Sequence, residues 1–442
     1  MNGVLPAGCA RSACLALALA AVLAGCGTSG TVQGGNDTYS ATTLTVYSNL
    51  PLLGPEGAQM TSIVNGEVLA LYDRGGHVGK LHVSLDSLND YPDGSVSDPL
   101  LPDPLRTLDA QVGESAHTAS SDLSTVAYIG DYDSDATWIS LPLNNQNDIL
   151  QVSPGSSYVG FTDANPADLT GDPGAFYGYG NQTVDGHIIR RTFARLDPSD
   201  LVQAHATVTW MRSLGVRRLA VIEDASNPAY DSVIAKLVAA AARSAGITVV
   251  ANAGGVDTAT LTSPASYAAV ADSLARVHPD AVLLGGTADA GAPALWRELH
   301  KVLAHARLFA PSALATPAFL AGLGASANAT YVTSAILEPS QYGAAAQRVF
   351  AQYRSLFGGA PSGYVLYGYD AMRDILLAIA RAGPKAANRL SLLGAFFALG
   401  RSGFTGTLGD YTVNADGDSS LAAFDGYRVN SSGALVLARA IP

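Results

Sequence analysis

From Thr43 onward the chain alternates short apolar runs with longer stretches of helical periodicity, and the series occurs twice. The apolar runs are TLTVYSNL, KLHVSLDSL, TVAYIGD, DILQVSP, RRLAVIED, TVVANAG, DAVLLGG, ARLFAP and ATYVTSAI. Between them lie GAQMTSIVNGEVLALYDRGG, DATWISLPLNNQN, DLVQAHATVTWMRSLG, YDSVIAKLVAAAARSAG and PALWRELHKVLAHA. Several of the helical stretches end in glycine just before a strand, the residue that most readily takes the left-handed conformation at a helix stop. Such alternation predicts parallel sheets with helices on both faces. In sheets of this kind ligands bind beyond the carboxyl ends of the strands. The first series runs from Thr43 to about Arg195, and the second restarts at Asp197-Pro198-Ser199-Asp200 and reaches about Glu338. GYVLYGYDAMRDILLAIARAG reads as a late helix, and the tail from Gly403, with turn residues every few positions, reads as hairpins.

The N-terminal segment has a different character. Arg11 is the only charged side chain before an apolar run from Ala13 to Ala24, too short for a bilayer core, which needs roughly 20 residues. A basic start, a short apolar segment and a small-residue cleavage site describe a secretion signal. Leu23-Ala24-Gly25-Cys26 resembles the lipobox of bacterial lipoproteins, in which the cysteine is lipidated and becomes the new N-terminus. The alternative is an ordinary signal peptide whose cleavage region contains a cysteine. Gly27 to Tyr39 is rich in Gly, Thr, Ser and Asn and reads as a flexible tether. The expectation is therefore a signal over residues 1–25, a tether over 26–42 and an extracytoplasmic body held to the membrane by two or three acyl chains on Cys26, enough for stable anchoring. Cys9 and Cys14 then leave with the signal, so the mature body has no disulfide, no cysteine metal site and no thiol nucleophile.

With 442 residues, 48% of them hydrophobic, the chain can build one large or two medium domains. Its net charge of −12 and lack of a basic cluster exclude a nucleic-acid partner. The eight histidines include no HxxxH or HExxH pair, and no G-x-S-x-G elbow or Walker A loop is present. GLGASA (322–327) does not follow a clear strand and reads as a loop. NADGDSS (414–420) and DYDSDA (131–136) alternate acids but lack the glycine at position six and glutamate at position twelve of a calcium loop. No cofactor, no metal and no catalytic role are expected.

Four stretches carry a resemblance to a known family: VYSNLPLLGPEG (46–57), AYIGDYDSDATWISLPLNNQNDILQVSPGSS (127–157), RTFARLDPSDLVQAHATVTWMRSLGVRRLAVIEDASNPAYDSVIAKL (191–237) and GYVLYGYDAMRDILLAIARAG (363–383). In this order they resemble the type I periplasmic binding proteins, specifically the branched-chain amino acid (Leu/Ile/Val) binding family that serves ABC importers. The resemblance implies an α/β fold of two Rossmann-like lobes joined by three crossover strands, with a small solute trapped between them. The lobes are expected at 43–197 plus about 338–385, and at 198–337 plus about 386–442.

Ser153-Pro154-Gly155-Ser156-Ser157 follows the strand DILQV, where short side chains leave backbone N–H groups open to a carboxylate. Gly155 allows close approach, and Ser157 stands where the family pattern has a hydroxyl that contacts the ligand carboxylate. Ser134, between a strand end and a helix start, can cap the helix or offer its hydroxyl to an anion. For each serine the alternative is a cap or turn residue. Tyr230 matches an aromatic of the second lobe that closes over the ligand, or else packs at a helix start. Asp224 is a candidate cleft carboxylate or a turn residue. Asp289 is the acid nearest the position where the family holds the ligand's ammonium group. The insertion SYVGFTDANPADLTGDPGAFYGYG (157–180) sits beside the cleft and suits a larger or differently charged solute.

The implied function is an extracytoplasmic, lipid-anchored receptor that hands a small amino acid, carboxylate or amide to an ABC permease in the membrane. The alternative is a ligand-sensing lipoprotein of the same fold that regulates a membrane signalling partner. A hydrolase would need a nucleophile and base in the cleft.

Overall fold

TLTVYSNL forms β1 (Thr43–Leu50), in which every residue after Thr43 is buried. Such near-continuous burial belongs to a parallel strand covered on both faces. The computed structural model describes residues 42–54, 56–91, 105–163, 176–177, 190–225, 231–258, 260–287 and 291–441. After β1 come α1 (Gly57–Asp73), β2 (His77–Val78), β3 (Leu81–Asn89), α2 (Leu105–Ser121), β4 (Thr125–Gly130), α3 (Ser134–Gln146), β5 (Leu150–Ser153) and β6 (Phe193–Arg195). They build a six-stranded sheet in the order β2-β3-β1-β4-β5-β6. All its pairings are parallel except that of the short edge strand β2.

The second series is α4 (Asp200–Ser213), β7 (Arg218–Asp224), α5 (Asp231–Ser244), β8 (Thr248–Val256), α6 (Pro264–Ala275), β9 (Ala281–Gly285), α7 (Ala292–Val302), β10 (Arg307–Ala310), α8 (Pro317–Gly322) and β11 (Thr330–Ser334). The chain then returns to the first sheet through α9 (Ala344–Leu356), α10 (Tyr364–Ala382), α11 (Arg389–Ser402) and the hairpin β12 (Phe404–Thr405) and β13 (Asp410–Tyr411). It ends with β14 (Phe424–Val429) and β15 (Leu435–Ile441), the antiparallel edge of a seven-stranded sheet ordered β15-β14-β11-β10-β9-β7-β8. The fold is thus two α/β lobes, and the chain crosses between them after Arg195, after Ser334 and between Tyr411 and Phe424.

Both sheets are packed by apolar clusters, one of which runs from Tyr158, Phe161 and Phe193 of the first lobe into the second. Val46, Ile129 and Val152 pack with Met372, Ile375 and Phe396 in the first. In the second, Leu219, Leu283 and Phe309 pack with Trp210 on one face of the sheet, and Leu284, Trp296 and Leu308 pack on the other. α10 crosses α1 with backbone against backbone: a Cβ added at Gly66 would lie 2.0 Å from the Val365 carbonyl oxygen, and one at Gly368 2.0 Å from that of Ile63.

The sequence expectation put residues from about 386 onward in the second lobe, and the structure places the third crossing later. Leu392, Leu393, Phe396 and Phe397 of α11 and Phe404 and Tyr411 of the hairpin join the first lobe's core. A helix with that apolar stripe has to cover a sheet face, and α11 packs against α10, β4 and β5. Among the described residues no helix is long and apolar enough to cross a membrane.

Candidate functional site

Strand order locates the crevice. In the first sheet the chain leaves β1 for β3 on one side and later β4 on the other, so the loops after β1 and β4 diverge. In the second sheet β7 lies between β8 and β9, and the loops after β7 and β9 diverge in the same way. Such switch points, at the carboxyl ends of parallel strands, are where open α/β sheets receive ligands. Glu56 begins the helix after β1, and Tyr132, Asp133 and Ser134 follow β4.

The serine-rich loop after β5 lies at this edge, but most of its donors are engaged within the protein. Ser153, fully buried, donates from Oγ to the Asp131 carbonyl and accepts from the N–H groups of Gly155 (3.2 Å) and Ser156 (2.8 Å). It takes the place of a loop cap rather than the expected ligand contact. Ser134 Oγ accepts from the Tyr158 N–H (3.2 Å) and from Ser156 Oγ (3.4 Å), joining the loop to the start of α3. The space beside Gly155 is filled by Tyr132, whose ring lies 2.3 Å from where a Cβ would be. The close approach that this glycine permits is therefore that of a tyrosine of the same lobe. Ser157 is buried; its carbonyl accepts from the Asp200 N–H (2.9 Å), and its hydroxyl pulls the Asp200 carboxyl downward in pKa.

Asp224 ends β7 fully buried, and its carboxylate accepts from the Thr258 N–H (3.0 Å) and from the Thr258 hydroxyl. It fastens the loop after β8 in place and is not an open cleft carboxylate. Tyr230, Asp289 and Cys26 lie outside the described residues, as does most of the 157–180 insertion. The insertion's described residues Phe161 and Phe176 pack with Trp138 and Tyr158 in a cluster of edge-on rings.

Acids crowd the carboxyl edge of the first sheet. Asp131 accepts from Asn49 Nδ2 and Tyr128 Oη, both at 2.8 Å, and from the Ser140 hydroxyl. Burial pushes it up to about 6 against the pull of these donors. Asp90, 2% exposed, is raised well above the carboxylate range by burial and then by the charges of Asp131 and Asp133. Asp133 keeps exposed surface, and desolvation in the crevice followed by Glu56, Asp135 and Asp131 raises it too. Asp197 and Asp200, on the first crossing segment, are raised by burial, Asp200 to about 6. The rings of Tyr132 and Tyr364 face each other at 6.1 Å, and burial lifts the Tyr364 hydroxyl to about 12.

One side chain ties the first crossing to the third. Arg195, fully buried at the end of β6, donates from Nε to Asp418 Oδ1 (2.7 Å), from Nη1 to the carbonyls of Ser156 (3.2 Å) and Tyr158 (2.8 Å), and from Nη2 to the Thr162 hydroxyl. Thr162 also donates to Asp418 (2.9 Å). On the second crossing, Tyr367 Oη donates to the Ala335 carbonyl (3.1 Å), and Tyr427 Oη to that of Ile336 (2.9 Å). One guanidinium thus couples the serine loop to the third crossing. Sequence reasoning missed Arg195, Asp200 and the Tyr132–Tyr364 pair. The available signal was an arginine between Ala194 and Leu196 at a strand end, with Asp197 and Asp200 close behind it.

No group of three or more His, Cys, Asp or Glu side chains among the described residues has metal-holding geometry. Solved structures share the fold. A leucine-binding protein from Thermotoga maritima matches with a TM-score of 0.69 at 18% identity, over 90% of this chain and 98% of that one. An ABC transporter substrate-binding protein from Desulfitobacterium hafniense in complex with Leu matches at 0.68 and 17%, over 89% and 99%. A solute-binding protein of an ABC transporter from R. palustris in complex with benzoate matches at 0.66 and 15%, over 90% and 96%. No curated protein matches the chain by sequence. The model of one family, described as periplasmic binding protein, matches residues 159–430. With more than half of its length matched and both lobes, their three crossings and the crevice in place, the chain belongs to the periplasmic binding protein family.

Proposed function

We propose that this protein is the extracytoplasmic receptor of an ABC importer, held to the membrane by lipid on Cys26, and that it traps a small polar solute between its lobes for delivery to the permease. The observation that carries the reading is the pair of parallel sheets with diverging loops at their carboxyl edges, joined through crossings that Arg195 and Asp418 hold together. A solute that touches both edges favours the closed arrangement in proportion to its extra contacts there, so binding and closure are one equilibrium. Relatives solved with leucine and with benzoate mark the size of solute such a crevice takes. In this chain the serine loop supports the crevice wall through Ser153, and Ser157, beside Asp200, is kept as the proposed ligand contact.

The test is a thermal-shift panel of amino acids, amides, small carboxylates and amines, followed by calorimetry of the hits. A receptor gains stability as RT ln(1 + [L]/Kd), so a micromolar ligand at millimolar concentration adds about 4 kcal/mol and several degrees. A panel with no stabilising solute contradicts the reading. For the anchor, Cys26→Ala is expected to release the protein from the membrane fraction while leaving solute binding unchanged.

A further inference from the structure

The amino-terminal edge of the second sheet, opposite the crevice, holds a pocket of its own. It opens where α7 ends and β10 and β11 begin, has a volume of about 300 Å³, and is lined by His300, His305, Arg307, Asn328 and Tyr331 with small alanines between them. Two imidazoles and a guanidinium thus share one space, and among the described residues no carboxylate lines it. In a chain of net charge −12 this grouping runs against the overall composition.

Arg428 adds a second guanidinium beside the pocket, held by two of the lining residues. It lies over the Tyr331 ring at 4.3 Å, and its Nη2 donates to the Asn328 carbonyl. The Tyr331 ring is itself stacked on Phe309 at 5.1 Å, which gives the pocket a fixed aromatic wall. Among the described residues none of His300, His305, Arg307 and Arg428 forms an ion pair. Nδ1 of His300 and Nε of Arg428 are buried without a hydrogen bond. The neighbouring acids are committed elsewhere. Asp280, just before the strand that pairs with Arg307, accepts from the N–H groups of Arg217 and Arg218, both at 2.9 Å. Glu298 holds Lys301 at 2.9 Å. The carbonyl end of α7 favours positive side chains, which accounts for His300 and Lys301 in its last turn. It does not account for His305, Arg307 and Arg428, which lie beyond the helix.

Arginine and imidazole N–H groups are the donors that recognise oxyanions, and such charge-assisted bonds are the strong ones. A carboxylate offers two oxygens, whereas a phosphate group offers up to four to donors spread over several walls. The volume is at the lower end for small-molecule sites, which suits a single compact group. We propose that this pocket is a second ligand site, which receives a phosphate group through Arg307, His300 and His305, with Arg428 adding positive charge beside it. The site lies at the sheet edge away from the crevice and does not depend on the solute-receptor reading. Free phosphate and the phosphate of an anionic lipid headgroup share this chemistry.

The experiment uses the mature chain carrying Cys26→Ala, so that no acyl chain contributes to binding. Calorimetry compares inorganic phosphate with acetate, and cosedimentation compares vesicles of phosphatidylglycerol in phosphatidylcholine with vesicles of phosphatidylcholine alone. Phosphate is expected to bind more tightly than acetate, or the phosphatidylglycerol vesicles more tightly than the others. The first result assigns free phosphate as the source, and the second without the first assigns the lipid headgroup. The double variant His305→Gln/Arg307→Gln, whose side chains keep solvent exposure, is expected to weaken that binding by about tenfold or more. Its melting temperature and its binding of any crevice solute are expected to stay at the wild-type values. Lys301→Gln, exposed and outside the lining, is the control and is expected to keep full affinity. Silence in both arms overturns the proposal, as does equal binding of the comparators. Affinity undiminished in the double variant, or lost equally in the control, overturns it too.

Discussion

Arg195 Nε and Asp418 Oδ1 lie 2.7 Å apart, with the arginine side chain fully buried and the aspartate side chain 30% exposed. The pair ties the last strand of the first sheet to a loop 223 residues later, on the segment by which the chain leaves that lobe for the last time. Removing one partner of a buried ion pair leaves an uncompensated charge, which costs about 3–5 kcal/mol. Arg195→Met is therefore expected to lower the urea midpoint and the melting temperature strongly. Asp418→Asn, at the more exposed partner, is expected to cost less. A pair of variants indistinguishable from the wild type would remove Arg195 from its joining role.

The turn after β5 depends on Ser153, which caps two N–H groups. Ser153→Ala leaves both without their acceptor, a cost of about 1–3 kcal/mol, and is expected to lower the melting temperature of the unliganded protein. A serine that served only to touch a solute would leave the unliganded protein unchanged. Differential scanning calorimetry without solute separates the two roles.

Glu67 on α1 is fully buried against β1, with the Ser48 hydroxyl donating to it at 3.1 Å, and burial pushes its carboxyl up to about 8 from an ordinary 4.5. Its folded pKa lies above its unfolded one, so the stability it contributes is full below about 4.5 and is lost as pH rises through 8. Glu67→Gln is expected to match the wild type near pH 4.5 and to exceed it by roughly 3–5 kcal/mol above pH 8.5. Urea unfolding at both pH values measures this, and an equal difference at the two would refute it.

Two glycines on α1 and α10 permit the close helix crossing, and one on α11 does not have that duty. A methyl at Gly66 meets the Val365 carbonyl, whereas at Gly394 nothing lies within 4 Å. Alanine favours a helix over glycine by about 1 kcal/mol, and overpacking costs about 1–3 kcal/mol. Gly66→Ala is thus expected to destabilise, and Gly394→Ala to stabilise by about 0.5–1 kcal/mol. Chemical denaturation of the two variants should give opposite signs.

The alternation of apolar runs made the two sheets legible because period and burial are local properties of the chain. Partnership across long separations was not legible. SPGSS reads equally well as an anion nest or as a self-capped turn, and only the fold shows Ser153 turning inward to its own loop. Asp224 reads as a cleft acid until Thr258, 34 residues on, is seen to hold it. The apolar stripe of α11 fits any exposed sheet face, so its sequence position beside the tail suggested the wrong lobe. Arg195 and Asp418 are each unremarkable alone and become a joint only in three dimensions.

The central claim is a hinged pair of lobes that closes on a solute. Small-angle X-ray scattering of the mature protein, with and without a saturating amount of the panel solute that raises its melting temperature most, tests it most directly. A smaller radius of gyration in the presence of solute is predicted. A scattering curve unchanged at full saturation would contradict closure between the two sheets.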